Sequence, residues 1–137
     1  KSGEDPIFIA RRMVIFASED IGNALPTALV VATSCMQAVH MICMPEASLI
    51  LAQTATYLAT APKSRTSTEA IGAAMRDVDI ERLEPIPLHL RNAPTKLAKD
   101  LGHGKGYHWT DNHAFQKSLE FLPENLRGRK YYTPPEK

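Results

Sequence analysis

Pro26-Thr27-Ala28-Leu29-Val30-Val31-Ala32-Thr33-Ser34-Cys35-Met36-Gln37-Ala38-Val39-His40-Met41-Ile42-Cys43-Met44-Pro45, residues 26–45, is the stretch that decides the fold class. Pro26 can open a helix, because its φ is already helical and its missing N–H is one the first turn leaves unpaired, whereas Pro45 cannot continue one. Between them Ala28, Val31, Ala32, Cys35, Val39 and Ile42 recur at helical spacing, and Leu29 and Met36 widen the stripe. A helix apolar over most of its circumference is expected to be enclosed by neighbours on several sides. Thr27, Thr33, Ser34, Gln37 and His40 interrupt the run, so it lacks the unbroken apolar length a bilayer span needs. The expectation is a buried core helix and no membrane contact.

The flanking sequence repeats the pattern. Upstream, Asp5 can cap and Pro6 can occupy the first helical position, with Ile7, Ala10, Met13, Val14 and Ala17 at helical spacing and Gly22 as a stop, which predicts a helix over about 6–20. Downstream, Pro45 and Glu46 open a third helix. Ile50, Thr54, Tyr57 and Ala61 line one side of it and Leu51, Ala55 and Leu58 the adjacent one, and Pro62 ends it. Thr66-Ser67-Thr68-Glu69 fits a capping box, followed by Ile71, Ala74, Met75 and Val78, predicting a fourth helix over roughly 66–79. Asp77, Asp79, Glu81 and Glu84 fall at its end, where the dipole disfavours them, so they are expected to be solvated and the helix to fray. Pro85 and Pro87 make Glu84 to Leu90 an extended connector. Pro94 then starts a short helix with Lys96, Leu97, Lys99 and Leu101, closed by Gly102, and a further amphipathic piece is expected around Ala114 to Phe121. The tail from Pro123 to Lys137 is expected to pack by its aromatics and fray at its end. No run of alternating β-branched residues, no repeat and no low-complexity tract stands out, so the class is all-α.

At 137 residues, 44% hydrophobic and 23% charged, the chain has the size and composition of one folding domain, residues 1–137, in which the four helices over about 6–79 are expected to form the buried core and residues 84–137 a Pro/Gly-rich basic segment and tail. The net charge of +1 hides an asymmetry. Residues 1–60 carry three basic and five acidic side chains and residues 61–137 thirteen and ten, so any polyanion contact belongs in the second part. Cys35 and Cys43, eight apart on one helix, would be about 12 Å apart, too far for a disulfide. Reduced thiols in an apolar stretch, with no signal peptide at the start, point to a cytoplasmic protein. The chain opens at Lys1 without an initiator Met and enters a helix at once, which points to a piece of something longer.

Several local features invite a functional reading. Gly102-His103-Gly104-Lys105-Gly106-Tyr107 places three glycines beside a lysine, which can let backbone N–H groups approach a phosphate. It is not a P-loop: Lys99 stands where the Walker pattern needs its first glycine, Gly106 where it needs Ser or Thr, and no strand precedes it. The plainer reading is a helix C-cap with turns that set Tyr107 and Trp109 against the core. Pro62-Lys63-Ser64 resembles the last residues of a P-loop but lacks every glycine, and reads as a helix stop. Arg91, Lys96, Lys99 and Lys105 can form a cationic face for DNA phosphates, with His89, His103, Tyr107 and Trp109 able to stack on bases, against the plainer reading of a solvated surface. His103, His108 and His113 are five apart, which suits no zinc motif. His40 beside Cys35 or Cys43 raises a Cys–His nucleophile, but a buried, hydrogen-bonded His among core thiols is the simpler expectation. No carboxylates pair as general acid and base. We therefore expect no catalytic, cofactor or metal site in this chain.

Particular motifs nonetheless carry a resemblance. Gly3-Glu4-Asp5-Pro6, Ile9-Ala10-Arg11-Arg12 and Ala17-Ser18-Glu19-Asp20-Ile21-Gly22 open it; Tyr57-Leu58-Ala59 and Ala61-Pro62-Lys63-Ser64 continue it. The long block Pro87-Leu88-His89-Leu90-Arg91-Asn92-Ala93-Pro94-Thr95-Lys96-Leu97 follows, then Leu101-Gly102, Gly104-Lys105-Gly106-Tyr107, Leu126, Gly128, Arg129, Tyr131 and Tyr132. Together they resemble the C-terminal domain of the replication-associated recombination protein A family, AAA+ ATPases related to Werner-helicase-interacting protein. Leu25 and Met44 depart from it, standing where the family often has a polar cap, and residues 110–120 match nothing in it.

The resemblance implies a helical assembly domain like the collar of clamp loaders, through which subunits associate as a homotetramer. It places the Walker motifs, and with them ATP and Mg, in an ATPase region N-terminal to this one, so no catalysis is expected here. It implies a bacterial, cytoplasmic, nucleoid-associated parent acting on DNA in replication, recombination and repair at stalled forks, with single-stranded DNA-binding protein as a possible partner.

Overall fold

The computed structural model describes residues 3–82, 84–106 and 119–135. Every regular element among them is helical and none is a strand, as the spacing predicts. The chain clusters into two compact units, one of residues 1–75 and 131–137 and the other of residues 76–130.

In the first unit, helix α1 spans Pro6–Phe16, and Asp5 caps it by accepting from the Ile7 N–H at 3.0 Å. The helical path then widens into a π turn over Ala17–Ile21 and stops at Gly22. Only glycine suits that stop. Its φ is +49°, and a Cβ there would stand 3.1 Å from the Ser64 carbonyl oxygen. After a 3-10 turn at Gly22–Ala24 come α2, Thr27–Ile42, and α3, Ala47–Thr60, joined through a cis Met44–Pro45 peptide. Helix α4, Thr66–Ile80, begins in this unit.

Helices α1, α2 and α3 pack on one another. Ala28, Ala32, Cys35 and Val39 form the inward ridge of α2, at i, i+4, i+7 and i+11, meeting Ala10 of α1 and Ala47 and Leu58 of α3. Alanine dominates this interior, which draws the helix axes together and leaves larger side chains at the margins; Ile21 is the largest side chain fully buried. Two expectations therefore change. Helix α2 is covered on one side only, with Leu29, Val30, Met41 and Ile42 exposed. No residue of α4 is buried, and Ile71, Met75 and Val78 lie open, so α4 is not a core helix of this chain.

The capping box also resolves differently. Thr66 is already helical, with Ser64 Oγ 3.4 Å from its N–H, and the Thr68 hydroxyl donates to the Glu19 carbonyl at 3.0 Å. The chain end returns to this unit, where the Tyr132 hydroxyl accepts from Asn23 Nδ2 at 2.9 Å.

The second unit holds the last turn of α4, 3-10 turns at Leu88–Leu90 and Glu124–Leu126, and the five-residue helix α5, Lys96–Asp100. The acidic end of α4 is not simply solvated. Arg129 reaches Asp77 at 3.4 Å and Glu81 at 3.0 Å, and Asn125 donates to the Arg82 carbonyl at 3.1 Å, so a basic side chain from the tail offsets the unfavourable dipole. Leu126, next to Asn125 in the 3-10 turn, is buried. The connector expected to be extended over Glu84–Leu90 closes into the 3-10 turn at its end. Of the predicted piece Ala114 to Phe121, residues 114–118 lie outside the described residues, and Glu120 and Phe121 are not helical.

Candidate functional site

The Pro62-Lys63-Ser64 motif does more than stop a helix. Ala61, held extended by the following proline, ends α3 and leaves its last carbonyls unpaired. Lys63 folds back over them. Its ammonium donates to the carbonyls of Ala61 at 2.6 Å, Leu58 at 2.8 Å and Ala59 at 3.4 Å, and stands 5.3 Å from the centroid of the Phe16 ring. An ammonium has three protons, so this geometry engages all of them at the negative end of the helix dipole. Ser64 then donates its N–H to the Asp20 carbonyl at 2.8 Å, binding the linker to the π turn. Arg65 lies 3.4 Å from Glu19 and 3.9 Å from Asp20, an exposed pair that contributes little alone. A cleft of about 630 Å³ opens beside the junction, lined by Asn23, Lys63, Arg65, Thr66, Glu69 and Pro135 among others.

The glycine-rich segment has its own local logic. The Thr95 hydroxyl accepts from the Ala98 N–H at 3.2 Å and caps α5. At the other end the N–H groups of Gly102 and His103 donate to the carbonyls of Lys99 and Ala98 at 2.9 and 3.0 Å, with Gly102 at φ +82°. That is the 5→2 and 6→1 pair of a Schellman cap, whose left-handed residue is normally glycine. The chain then doubles back. Gly104 N–H donates to the Leu88 carbonyl at 2.8 Å, His103 Nδ1 lies 3.3 Å from the Asn92 carbonyl, and Arg91 Nε donates to the Ile86 carbonyl at 2.8 Å.

These contacts gather part of the sequence motif around one cleft. His89, Arg91, Asn92 and Gly104 line a space of about 420 Å³, and His89 and Arg91 also line a second one of about 380 Å³ with Glu84, Glu120, Glu124 and Arg127. The His89 ring meets Phe121 edge-on at 6.5 Å, and its Nε2 is enclosed without a hydrogen-bond partner among the described residues. Lys96, Lys99 and Lys105 do not line either cleft; they are exposed, as are Pro94 and Gly106. Lys96 and Lys99, three apart on α5, share a face. Tyr107, His108, Trp109 and His113 lie outside the described residues.

Other expectations can be placed directly. His40 is exposed rather than buried, because α2 turns it away from the Ala28–Val39 ridge. Cys35 is buried core, its Sγ 3.9 Å from the Ile50 carbonyl, whereas Cys43 is exposed at the end of α2. No group of three metal-ligating side chains forms among the described residues, and no helix there is long and apolar enough to cross a membrane. The glycine turns follow the carbonyl end of α5, and the Lys63 ammonium is saturated. The sequence reading missed this role of Lys63, although a basic residue just past a helix end is the signal for it.

The family model described as MgsA AAA+ ATPase C terminal matches residues 1–137. The chain belongs to that family. The chain is 43% identical over 134 residues to the replication-associated recombination protein A of Coxiella burnetii, covering 96% of this chain and 30% of that protein. The Escherichia coli K12 protein of the same name is 37% identical over 135 residues, 97% of this chain and 30% of that protein. The ATPase WRNIP1 of Dictyostelium discoideum is 41% identical over 136 residues, 96% of this chain and 15% of that protein. The chain thus spans less than a third of these relatives. The family expected from the sequence motifs and the all-α class both hold.

Proposed function

We propose that this chain is the assembly module of its parent AAA+ ATPase, joining copies into a homotetramer so that ATPase regions outside this chain work in concert. One observation carries the proposal. Helix α2, whose sequence is apolar over most of its circumference, is covered on one side only, with Val30 and Met41 64% and 76% exposed. Apolar surface of that kind on a regular helix marks a protein contact. In this reading ATP and Mg belong to the parent's ATPase region and no catalysis resides here. The name replication-associated recombination protein A, borne by relatives, supports a parent working in replication and recombination; to this we add repair at stalled forks, a cytoplasmic, nucleoid-associated place in bacteria and single-stranded DNA-binding protein as a partner. The test is sedimentation velocity of the 137-residue chain at micromolar concentration. A multimer is expected, and a species that stays monomeric at every concentration would remove the proposal.

A second reading, a DNA-contacting surface, is favoured by Lys96, Lys99 and Lys105, which are exposed and make no ion pair among the described residues. Arg91 contributes less, since its Nε is committed to the Ile86 carbonyl. Binding to single-stranded or forked DNA should then weaken steeply with salt, and Lys96→Glu with Lys99→Glu should abolish it. Unchanged binding in that variant leaves an ordinary solvated surface.

A further inference from the structure

We infer that the end of helix α2 carries a binding site for a soft monovalent cation, Cu(I), formed by the His40 imidazole, the Cys43 thiolate and the Met44 thioether. The three side chains fall between residues 40 and 44 and line one cleft of about 330 Å³, whose apolar walls include Ile7, Val39 and Ala47. All three are exposed, so an incoming ion can reach them. No hydrogen bond among the described residues engages the His40 ring or the Cys43 sulfur. Histidine spacing gives no hint of such a site, because two of its donors are sulfur.

The backbone sets the donors in place. His40 lies on the last turn of α2 and Cys43 is its C-cap, still tied to the helix by its N–H to the Val39 carbonyl at 3.3 Å. Cys43 is also the one non-glycine residue with a left-handed φ among the described residues, at +62°. Cβ turns with φ about the N–Cα bond, so the thiol leaves the path a helical residue would follow and joins His40 and Met44 at the cleft. Non-glycine residues held in that region are strained, and such strain gathers at ligand sites. Met44 follows directly, and its unbranched side chain lets the sulfur adapt to an ion.

The donor set selects the ion. Among the described residues no three side chains drawn from histidine, cysteine and carboxylate group together, so the donor sets of a zinc site are absent. Methionine supplies what those sets leave out. Thiolate and thioether are soft donors and imidazole accepts copper, a combination that suits Cu(I) and its redox-inert analogue Ag(I). Asp5 lines the cleft as well, but its Oδ1 accepts from the Ile7 N–H at 3.0 Å, and a hard carboxylate oxygen is a poor ligand for Cu(I). Its negative charge still favours a cation, and no lysine or arginine among the described residues lines the cleft. The apolar walls limit the competition of water for the ion. On binding, the Cys43 thiol releases its proton to solvent and its sulfur donates an electron pair to Cu(I), which keeps its oxidation state. The bound ion ties the end of α2 to the turn that follows and shields Cys43 from oxidants.

The experiment is anaerobic titration of the 137-residue chain against Cu(I) held by bathocuproine disulfonate, whose colour falls as the protein takes the ion. It compares the wild type with Cys43→Ser, Met44→Leu, His40→Gln and, as a control on α4, Met75→Leu, each checked for helicity by circular dichroism. The wild type should withdraw one ion per chain and show a thiolate-to-copper band in the ultraviolet. Cys43→Ser should weaken binding about 100-fold, Met44→Leu and His40→Gln about tenfold each, and Met75→Leu not at all. A wild type that leaves the copper with the chelator overturns the inference, as does Cys43→Ser binding like wild type. Met44→Leu or His40→Gln binding like wild type overturns the three-donor site, and an equal loss in Met75→Leu removes its specificity for the cleft. Zn(II) displacing Cu(I) at equal concentration overturns the choice of ion. Should Cys43→Ser not fold, Ag(I) added to the wild type decides by NMR. The Met44 methyl and His40 ring signals should shift together at the first equivalent, and shifts confined to other residues overturn the inference.

Discussion

Replacing Lys63 by methionine keeps most of the aliphatic stem and removes only the ammonium. That ammonium donates at 2.6 and 2.8 Å to the carbonyls of Ala61 and Leu58, with a longer 3.4 Å contact to Ala59. Hydrogen bonds to a charged group contribute about 1.5–3 kcal/mol when enclosed, and a cation at a helix C-terminus about 0.3–1 kcal/mol. Lys63 is exposed, so water can replace part of what is lost, and the contact over Phe16 adds only about 0.5 kcal/mol at such a site. The expected net loss is about 2 kcal/mol. Urea unfolding followed by circular dichroism would show it as a lower midpoint with unchanged slope. Lys63→Arg should recover part of the loss, because a planar fork cannot reach three carbonyls as a compact ammonium does. If Lys63→Met unfolds within about 0.5 kcal/mol of wild type, the lysine is not the cap that the geometry describes.

Gly22→Ala should destabilise by about 1–3 kcal/mol in the same assay, since φ of +49° strains any L side chain and its Cβ would press on the Ser64 carbonyl; a neutral result would contradict the tight approach of π turn and linker. Arg129→Ala should cost about 1 kcal/mol at low salt and less at high salt, because its pairs with Asp77 and Glu81 are partly exposed; a salt-independent loss would assign Arg129 a packing role instead. In the folded protein Cys43 should react rapidly with an aromatic disulfide reagent and Cys35 only on unfolding, unless association of copies covers Cys43, in which case dilution should expose it.

The helices were legible because their punctuation is strong. Asp5-Pro6, Gly22, Pro26, Pro45 and Pro62 bracket α1 to α3 within a few residues, and backbone chemistry acts locally. Burial was less legible. Periodicity marks the apolar face of α4 and the outer side of α2, but it cannot say whether the cover comes from the same chain, and in this structure Ile71, Met75, Val30 and Met41 remain open. The junction at Lys63 depends on residues as far apart as Phe16, Asp20 and Ser64, and the offset of the acidic end of α4 depends on Arg129, far along the chain. Such contacts need the tertiary fold. The cationic residues show the same limit: Arg91 is drawn inward to the Ile86 carbonyl while Lys96 and Lys99 stay outside, a separation no spacing rule foresees.

The central claim, that this domain assembles copies of its parent, is tested most directly by light scattering across a dilution series of the chain alone. The account predicts a molar mass that climbs with concentration toward four times the 15.1 kDa of one chain. A mass held at that of a single chain up to about 100 μM would contradict it, for a standard-sized interface binds more tightly than that.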